Sequence, residues 1–284
     1  MTDPYVIEWS EARDRLNANA REDADWYAIV AERLCRPTDG LRLDIGCGGA
    51  GMARALADVP PDTARVIGLD GNAEILGGAR KHVAGTRVEL SQCDLERGPA
   101  AVRELVQDQA DLIWASAVVH HVADQQATVD GLATLLAPGG RLALAEGGLA
   151  TRHLPWDVGV GEPGLEVRLQ AAQDQWFRRM RAELPGQVPM PYGWTEALTR
   201  AGLNEVTTFT ILVEKSVPLS NDERYHVLRG LETYLSRIRE TGLLGTDDLA
   251  AWDKLLDPES PHWLGNLTDV FSLAARSVHV GAVG

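Results

Sequence analysis

The stretch LDIGCGGAG at residues 43–51 combines one carboxylate with glycines at the spacing of a nucleotide-binding turn. Gly46, Gly48 and Gly51 fit the pattern G-x-G-x-x-G, in which glycines let the backbone pass close to a ligand. Asp44 stands just before these glycines, at the end of an apolar run. A carboxylate there would repel a diphosphate held at a helix N-terminus, and it would attract an ammonium group. The stretch therefore favours a cationic amino-acid ligand over a dinucleotide.

Further polar residues follow the next apolar runs of the chain. Asp70 comes nineteen residues after Gly51, about the distance at which a carboxylate can bind ribose hydroxyls. Asp94 and Leu95 follow the run at 87–92, where Asp94 is placed to meet an adenine edge and Leu95 to pack on the ring. Taken singly, each feature is explained equally well by a solvated strand end or an ordinary tight turn. Their succession along the chain points to one ligand.

The elements that must position these residues are strands and helices in alternation, preceded by a helical stretch at 10–35. Strands are predicted at 41–46, 65–70, 87–92, 111–116 and 141–147, and the helices between them at 50–58, 72–84, 97–108 and 124–137. Such alternation predicts a mostly parallel sheet with helices on both faces. Ligands bind such a sheet at the carboxyl ends of its strands.

The alternation stops after residue 147, and this change predicts the domain organisation. N-terminal helices form a cap at 1–37, and the nucleotide-binding core covers 38–149. The segment 150–191 is too long for a simple connection, so we expect a lid or specificity element. Residues 192–284 complete the core and carry a helical insertion at 219–258.

Five segments resemble, in their order and spacing, those of the class I S-adenosylmethionine-dependent methyltransferases: LDIGCGGAG, VIGLDGN, QCDLE, DLIWASAVVHHV and LLAPGGRLALAE. The resemblance covers residues 41–147. It implies an α/β Rossmann-like fold whose seven-stranded, mostly parallel sheet has the order 3-2-1-4-5-7-6, with an antiparallel seventh strand and helical lid insertions. It also implies S-adenosylmethionine as the cofactor. Ala50 stands where the family usually has its third glycine, and we expect Gly51 to compensate.

The resemblance assigns cofactor contacts to nine residues. Asp44, Gly46 and Gly48 would line the methionine part, Asp70 with Gly71 the ribose, Asp94 and Leu95 the adenine, and Ala115 and Ser116 the edge of the fourth strand. No residue is predicted to bind a metal, since the cysteines form no C-x-x-C pair.

Three residues are candidates for catalysis. Methyl transfer is mainly a matter of alignment and needs a base only if the acceptor must lose a proton. Glu146, at the end of the fifth strand, would bond an acceptor N–H or O–H or take its proton; the alternative is a solvated or salt-bridged strand end. His120, or its neighbour His121, is placed to act as a base, although a histidine here is common in the family without catalysis. Tyr27 would cap the donor site or only pack between helices.

Aromatic residues gather in the predicted lid and on its flanks. Trp156, Trp176, Tyr192 and Trp194 are the predicted substrate contacts, because an aromatic-lined pocket suits a planar acceptor. Some of this group belong to the core instead: Trp176 and Phe177 are adjacent on one helix and point in different directions.

Composition narrows the class of partner. The net charge of −14 argues against nucleic acid and against an anionic membrane surface, because both are bound through Lys and Arg. The chain has no apolar run of membrane-spanning length and no N-terminal signal pattern, and its three cysteines indicate neither disulfides nor zinc. We expect a cytoplasmic protein with a small-molecule partner, and a homodimer is left open.

The leading hypothesis is a methyltransferase of secondary metabolism that acts on a small aromatic or heteroaromatic metabolite. Carbon methylation of an indole-like ring, with Glu146 holding the ring N–H, is one variant, and methylation of oxygen or nitrogen stays open. One alternative is a nicotinamide-dependent oxidoreductase that uses the literal G-x-G-x-x-G. Another is a non-catalytic binder of the methyl donor.

Overall fold

The computed structural model describes residues 12–215 and 217–284 together with Tyr5 and Trp9. Seven strands are present: β1 (Leu41–Ile45), β2 (Arg65–Asp70), β3 (Val88–Gln92), β4 (Ala110–Ser116), β5 (Leu136–Arg152), β6 (Asn204–Lys215) and β7 (Ser272–Ala282). They form one sheet in the order β3-β2-β1-β4-β5-β7-β6. The predicted fold class is therefore confirmed.

Ten helices are described within these residues. They are α1 (Arg13–Glu22), α2 (Ala24–Leu34), α3 (Gly51–Asp58), α4 (Ala73–His82), α5 (Pro99–Val106), α6 (Gln125–Ala133), α7 (Leu165–Glu183), α8 (Trp194–Arg200), α9 (Asn221–Ile238) and α10 (Thr246–Leu256). The helix predicted at 10–35 is two helices, because Asp23 ends α1 and begins α2 outside helical geometry. Residues 10 and 11 of that prediction lie outside the described residues. So do residues 1–4 and 6–8 of the predicted N-terminal cap.

The sheet is parallel through its first five strands and reverses at β7. Parallel registers join β1 to β2 and β4, β2 to β3, and β4 to β5. Against β5, the amide of Phe271 bonds His153 and the amide of Val283 bonds Gly140, so one chain ascends while the other descends. All five residues of β1 are buried, as expected of a central strand covered by helices on both faces.

A buried charged triad lies at the amino-terminal edge of the parallel strands. The carboxylate of Asp39 bonds Nε of Arg42 at 3.3 Å and one terminal nitrogen of Arg141 at 2.9 and 3.0 Å. The guanidinium of Arg42 also donates to the carbonyls of Leu56 and Val59, both at 2.7 Å, which closes the end of α3. All three charged side chains are buried, so their hydrogen bonds must offset the cost of desolvation.

The chain divides into two compact units. The core unit contains Glu8–Gly147, Gly186–Ile211 and Ser277–Gly284, and the second unit contains Gly148–Pro185 and Leu212–Arg276 with Tyr5. In the second unit, α7, α9 and α10 contribute to an apolar core. The segments predicted as insertions supply most of this unit. In the part of the chain that the structure describes, no helix is both long and apolar enough to cross a membrane.

Replacing Asp39 with Asn tests the triad. The change leaves the two buried guanidinium groups without a countercharge, so we expect the free energy of unfolding to fall by about 3–5 kcal/mol. Urea denaturation followed by circular dichroism measures it. The control is Asp62→Asn, which removes an ion pair to Arg87 from a carboxylate whose side chain is 94% exposed, and a change below about 1 kcal/mol is expected there. Equal effects would contradict a structural role for the triad.

Candidate active site

The glycine-rich turn after β1 depends on left-handed backbone conformations. Gly46 and Gly48 have φ of 63° and 52°, which favour glycine. A β-carbon at Gly46 would also overlap the side chain of Val118. Ala50, the departure from the family pattern, has a φ of 60° and is the residue that caps α3. The fold therefore accepts a non-glycine residue in the left-handed region at this point.

Two further glycines of the turn make room for helix α1. A β-carbon on Gly49 would lie 2.6 Å from the carbonyl oxygen of Leu16, and one on Gly51 would lie 2.7 Å from that of Ala20. The same β-carbon on Gly51 would lie 2.8 Å from the ring of Tyr27 on α2. The expected compensation by Gly51 thus has a different physical reason: this glycine allows helix packing behind the turn. Tyr27 lies beside the turn.

Asp44 is buried below the turn. Its Oδ2 accepts the amide of Ala53 at 2.8 Å, in the first turn of α3, and the residue is 3% exposed. Burial raises the pKa of Asp44 to about 8; the Ala53 amide opposes this rise and the charge of Asp70 adds to it. Among the described residues, no Lys, Arg or His forms an ion pair with Asp44. A cationic ligand group at this point would supply the missing charge.

Asp70 joins the turn to the end of β2. Its Oδ2 accepts the amide of Gly48 at 3.0 Å and its Oδ1 accepts that of Asn72 at 2.9 Å. Burial raises the pKa of Asp70, while the amides of Asn72 and Gly48 lower it. Each carboxylate oxygen keeps a second lone pair that a ribose hydroxyl can use. Gly71 follows on the surface, and a β-carbon there would lie 3.8 Å from Asp94.

The remaining cofactor candidates lie at the ends of β3 and β4. Asp94 is exposed, and its Oδ1 accepts the amide of Glu96 at 2.9 Å. Leu95 is half-buried and packs against the apolar core of the sheet. Ala115 is fully buried in that core, whereas Ser116, at the end of β4, is half-buried.

Glu146 is buried within β5, directly after the last residue that pairs with β4, and bonds the loop that follows β4. Its Oε1 accepts the amides of Val118 at 3.0 Å and Val119 at 2.9 Å, and its Oε2 lies 2.5 Å from Nδ1 of His120. With 1% of its surface exposed, Glu146 is not the solvated strand end considered above. Both oxygens are engaged within the protein, so the geometry favours a positioning role over the predicted bond to an acceptor.

The two adjacent histidines lie in contact. Nε2 of His120 is 3.0 Å from Nε2 of His121, and their ring centroids are 4.1 Å apart. The ring of Trp9 meets His121 edge to face at 5.0 Å. Glu146, His120 and His121 therefore form a continuous hydrogen-bonded row. Sequence reasoning named all three but not their connection.

The four predicted substrate aromatics fall into the two units. Tyr192 donates to Oε1 of Gln126 at 3.0 Å in the core unit, where Trp194 also packs against the sheet's apolar core. Trp176 is 2% exposed inside the core of the second unit, and Trp156 in the same unit is 65% exposed. The predicted single aromatic cluster is thus not present within either unit, because Trp176 is used for helix packing.

The residues around the turn fit the expected cofactor better than a dinucleotide. The predicted contacts include three carboxylates, those of Asp44, Asp70 and Asp94, and no cationic side chain. Such a set suits ammonium, sulfonium and hydroxyl groups, whereas a diphosphate would be repelled. The nicotinamide alternative is therefore unfavourable on electrostatic grounds.

Comparison with known proteins points to one family of enzymes. Residues 43–142 match the methyltransferase domain family. A trans-aconitate 2-methyltransferase of Streptomyces avermitilis is 30% identical over 233 residues, which cover 79% of this chain and 74% of that enzyme.

Two further relatives match shorter regions. A trans-aconitate 2-methyltransferase of Variovorax paradoxus is 37% identical over 49% of this chain and 50% of its own length. A ubiquinone biosynthesis O-methyltransferase of Aeromonas salmonicida is 34% identical over 36% of this chain and 41% of its own length. The matched region thus spans half or less of each of these two relatives.

Asp44→Asn tests the buried acid. The folded protein keeps a proton on Asp44 up to about pH 8, whereas an unfolded chain loses it near pH 4. The stability of the folded protein that depends on this proton is therefore fully present below about pH 4 and is lost as the pH rises to about 8. Asparagine retains an oxygen for the Ala53 amide and does not titrate. From pH 5 to pH 8 we expect the variant to gain stability over the natural protein, by at most about 1.4 kcal/mol per pH unit. Urea unfolding at both pH values measures this difference, and a constant difference would contradict the raised pKa.

Proposed function

The chain belongs to the class I S-adenosylmethionine-dependent methyltransferases, and from this membership we propose that it methylates a small aromatic or heteroaromatic metabolite at a group that must lose a proton. The observation that carries the proposal is the pair formed by Glu146 and His120 at 2.5 Å. Such a pair can accept and stabilise a proton released by an acceptor. A hydroxyl is the favoured acceptor group, with a ring N–H second.

The cofactor supplies an electrophilic methyl carbon on a sulfonium, which leaves as a neutral thioether. Asp44, Gly46 and Gly48 would hold its amino-acid part, and Asp70 its ribose. Gly71, Asp94, Leu95, Ala115 and Ser116 would complete the contacts. Asp44 supports this assignment because its buried carboxyl has a raised pKa, and a cationic ligand group beside it would stabilise the ionised form. Tyr27, beside Gly51, is proposed to pack at the donor site.

His120 is proposed as the base. A carboxylate only accepts hydrogen bonds, so the bond to Oε2 of Glu146 keeps the proton of a neutral His120 on Nδ1. Nε2 then carries the lone pair, which accepts from Nε2–H of His121 in the free protein. An acceptor hydroxyl would take the place of His121. As the hydroxyl oxygen of the acceptor bonds the methyl carbon, the hydroxyl proton moves to Nε2 of His120. Glu146 then stabilises the imidazolium that results.

The surroundings of the acceptor belong to the same proposal. Tyr192 and Trp194 of the core unit are proposed to contact the acceptor. Residues 150–191, which include Trp156 and Trp176, are proposed as a specificity segment. The acidic composition supports a small molecule over a polyanion as partner, and a metabolite of secondary metabolism belongs to the same proposal. Carbon methylation of an indole-like ring is less favoured, because both oxygens of Glu146, which was to hold the ring N–H, are already bonded within the protein.

A carboxylate acceptor is the second candidate. The trans-aconitate enzymes to which this chain is similar favour it, and one of them aligns with 79% of the chain. A carboxylate has already lost its proton at neutral pH and needs no base. The two candidates therefore differ in whether activity depends on the Glu146–His120 pair.

Glu146→Gln separates them. The amide oxygen can still accept the two backbone amides, but the amide nitrogen would donate to Nδ1 of His120 and move its proton to Nε2. With a hydroxylated aromatic acceptor found by mass-spectrometric screening, we expect kcat to fall by about 10²–10⁴-fold. Affinity for S-adenosylhomocysteine should change less than twofold by calorimetry. Acceptors whose hydroxyl is already ionised at the assay pH should lose far less.

Glu166→Gln is the matched control. Glu166 is likewise buried, and its Oε1 lies 2.9 Å from Nδ1 of His153, in the second unit. This variant should leave the pH profile of kcat unchanged. Loss of turnover with every acceptor, ionised or not, would contradict a base role for His120. Turnover that is unchanged with trans-aconitate would support the carboxylate candidate, and natural protein that binds the donor but methylates no acceptor would support a binding protein.

Cofactor affinity should depend on pH through Asp44. A bound ammonium group favours the ionised carboxylate, so binding below about pH 8 releases a proton and becomes tighter as the pH rises towards 8. Calorimetry of S-adenosylhomocysteine in buffers of different ionisation enthalpy measures that proton. Asp44→Asn should abolish the release and weaken binding about 10- to 100-fold, which corresponds to a lost charged hydrogen bond. Proton release that persists in the variant would exclude Asp44 as its source.

A further inference from the structure

A cavity in the core unit lies at the edge of the sheet opposite the glycine turn. Its volume is about 220 Å³, and it is lined by Arg33, Leu34, Arg36, Arg141, Thr207, Phe209 and Val280. Arg141 pairs with Leu112 near the start of the parallel β4–β5 register, whereas Ala145, next to Glu146, pairs with Ser116 at its end. The length of the strands therefore separates this cavity from the catalytic residues.

The cavity is strongly cationic in a chain whose net charge is −14. Three of its seven lining residues are arginines, and none of these described lining residues is acidic. Behind them, Asp39 is shared by Arg141 and the fully buried Arg42. One carboxylate thus faces more guanidinium groups than it can neutralise. Uncompensated positive charge beside a cavity favours an anionic occupant.

Two of these arginines are exposed at the surface and have N–H donors that no described carboxylate uses. The guanidinium of Arg33 lies 3.9 Å over the ring of Phe209, so its face is engaged and its N–H edge is left for a ligand. Arg36 donates from Nη1 to the carbonyl of Gly139 at 3.2 Å. No carboxylate in the described part of the chain forms a salt bridge with either residue.

Arg141 supplies an independent indication. Its terminal nitrogen bonds Asp39, but its Nε–H is buried and, among the described residues, has no hydrogen-bond partner. Buried donors of this kind are rare and costly in proteins. Because Arg141 lines the cavity, a ligand there with an acceptor oxygen would lie near this unsatisfied Nε–H donor.

We propose that this cavity binds a small organic carboxylate, whose charged end pairs with Arg33 and Arg36 and whose apolar body packs against Leu34, Phe209 and Val280. Arginine edges suit carboxylates because two N–H groups meet two oxygens. The volume is below the roughly 300–1,000 Å³ of sites for drug-sized ligands, so the occupant is about the size of a single-ring acid. The inference is independent of the methylated acceptor.

Benzoate is the probe, titrated by calorimetry into the full chain saturated with S-adenosylhomocysteine. We expect saturable binding that Arg33→Gln and Arg36→Gln each weaken at least fivefold. The matched control is Arg80→Gln, which removes an exposed arginine from α4 and should change the dissociation constant less than twofold. Arg33→Lys keeps the charge but not the planar stacking on Phe209, so an intermediate effect is expected. Benzyl alcohol, which lacks the charge, should bind at least fivefold more weakly than benzoate.

Four results would overturn the proposal. One is the absence of saturable benzoate binding. Another is equal affinity for the natural protein and for the Arg33 and Arg36 variants, which would locate benzoate elsewhere, including the acceptor site. Equal weakening by Arg80→Gln would reveal only a diffuse charge effect. Benzyl alcohol that binds as well as benzoate would leave an apolar cavity without anion preference. Circular dichroism and the thermal midpoint establish that each variant is folded before it is titrated.

Discussion

The buried carboxylate of Glu146 is the interaction on which the arrangement of the site depends. It holds the amides of Val118 and Val119 and the imidazole of His120, so a residue within β5 fixes the loop that leaves β4. The side chain of Val118 in turn packs against Gly46 in the turn after β1. Because β1, β4 and β5 are consecutive in the sheet, one acidic side chain sets the distance between the histidines and the cofactor turn.

The two edges of the parallel strands carry opposite charge. At the carboxyl edge, Asp44 and Asp70 are desolvated, and the pKa of each is raised by burial. At the amino edge, Arg42 and Arg141 share Asp39. A desolvated acid is unfavourable to the free protein, and its cost is offset when a cation arrives. Likewise, the buried arginines at the amino edge are unfavourable to the free protein, and their cost is offset when an anion arrives.

Local patterns predicted the first four strands closely, whereas β5 (Leu136–Arg152) is longer than the predicted 141–147. The strand order came from family resemblance, since alternation alone does not specify which strands are neighbours. The contact between His120 and Glu146, 26 residues apart, does not follow even from that order, because the order does not specify the path of the loop after β4. The packing of α1 on Gly49 was missed because a glycine pattern is read for ligands and not for helices. Trp176 lies in the core of the second unit, which its residue type could not indicate, because aromatic residues serve helix cores and pockets alike.

The place of β7 has a consequence for how the chain assembles. It is the last of the seven strands in sequence, yet it lies between β5 and β6 in the sheet. During synthesis, β6 emerges from the ribosome before the only strand that connects it to the rest of the sheet, so it has no backbone partner there until residues 272–282 are made. Each of the five parallel strands, by contrast, has at least one neighbour that precedes it or is the next strand in sequence. Closure of the sheet is thus a late event that brings together segments far apart in sequence.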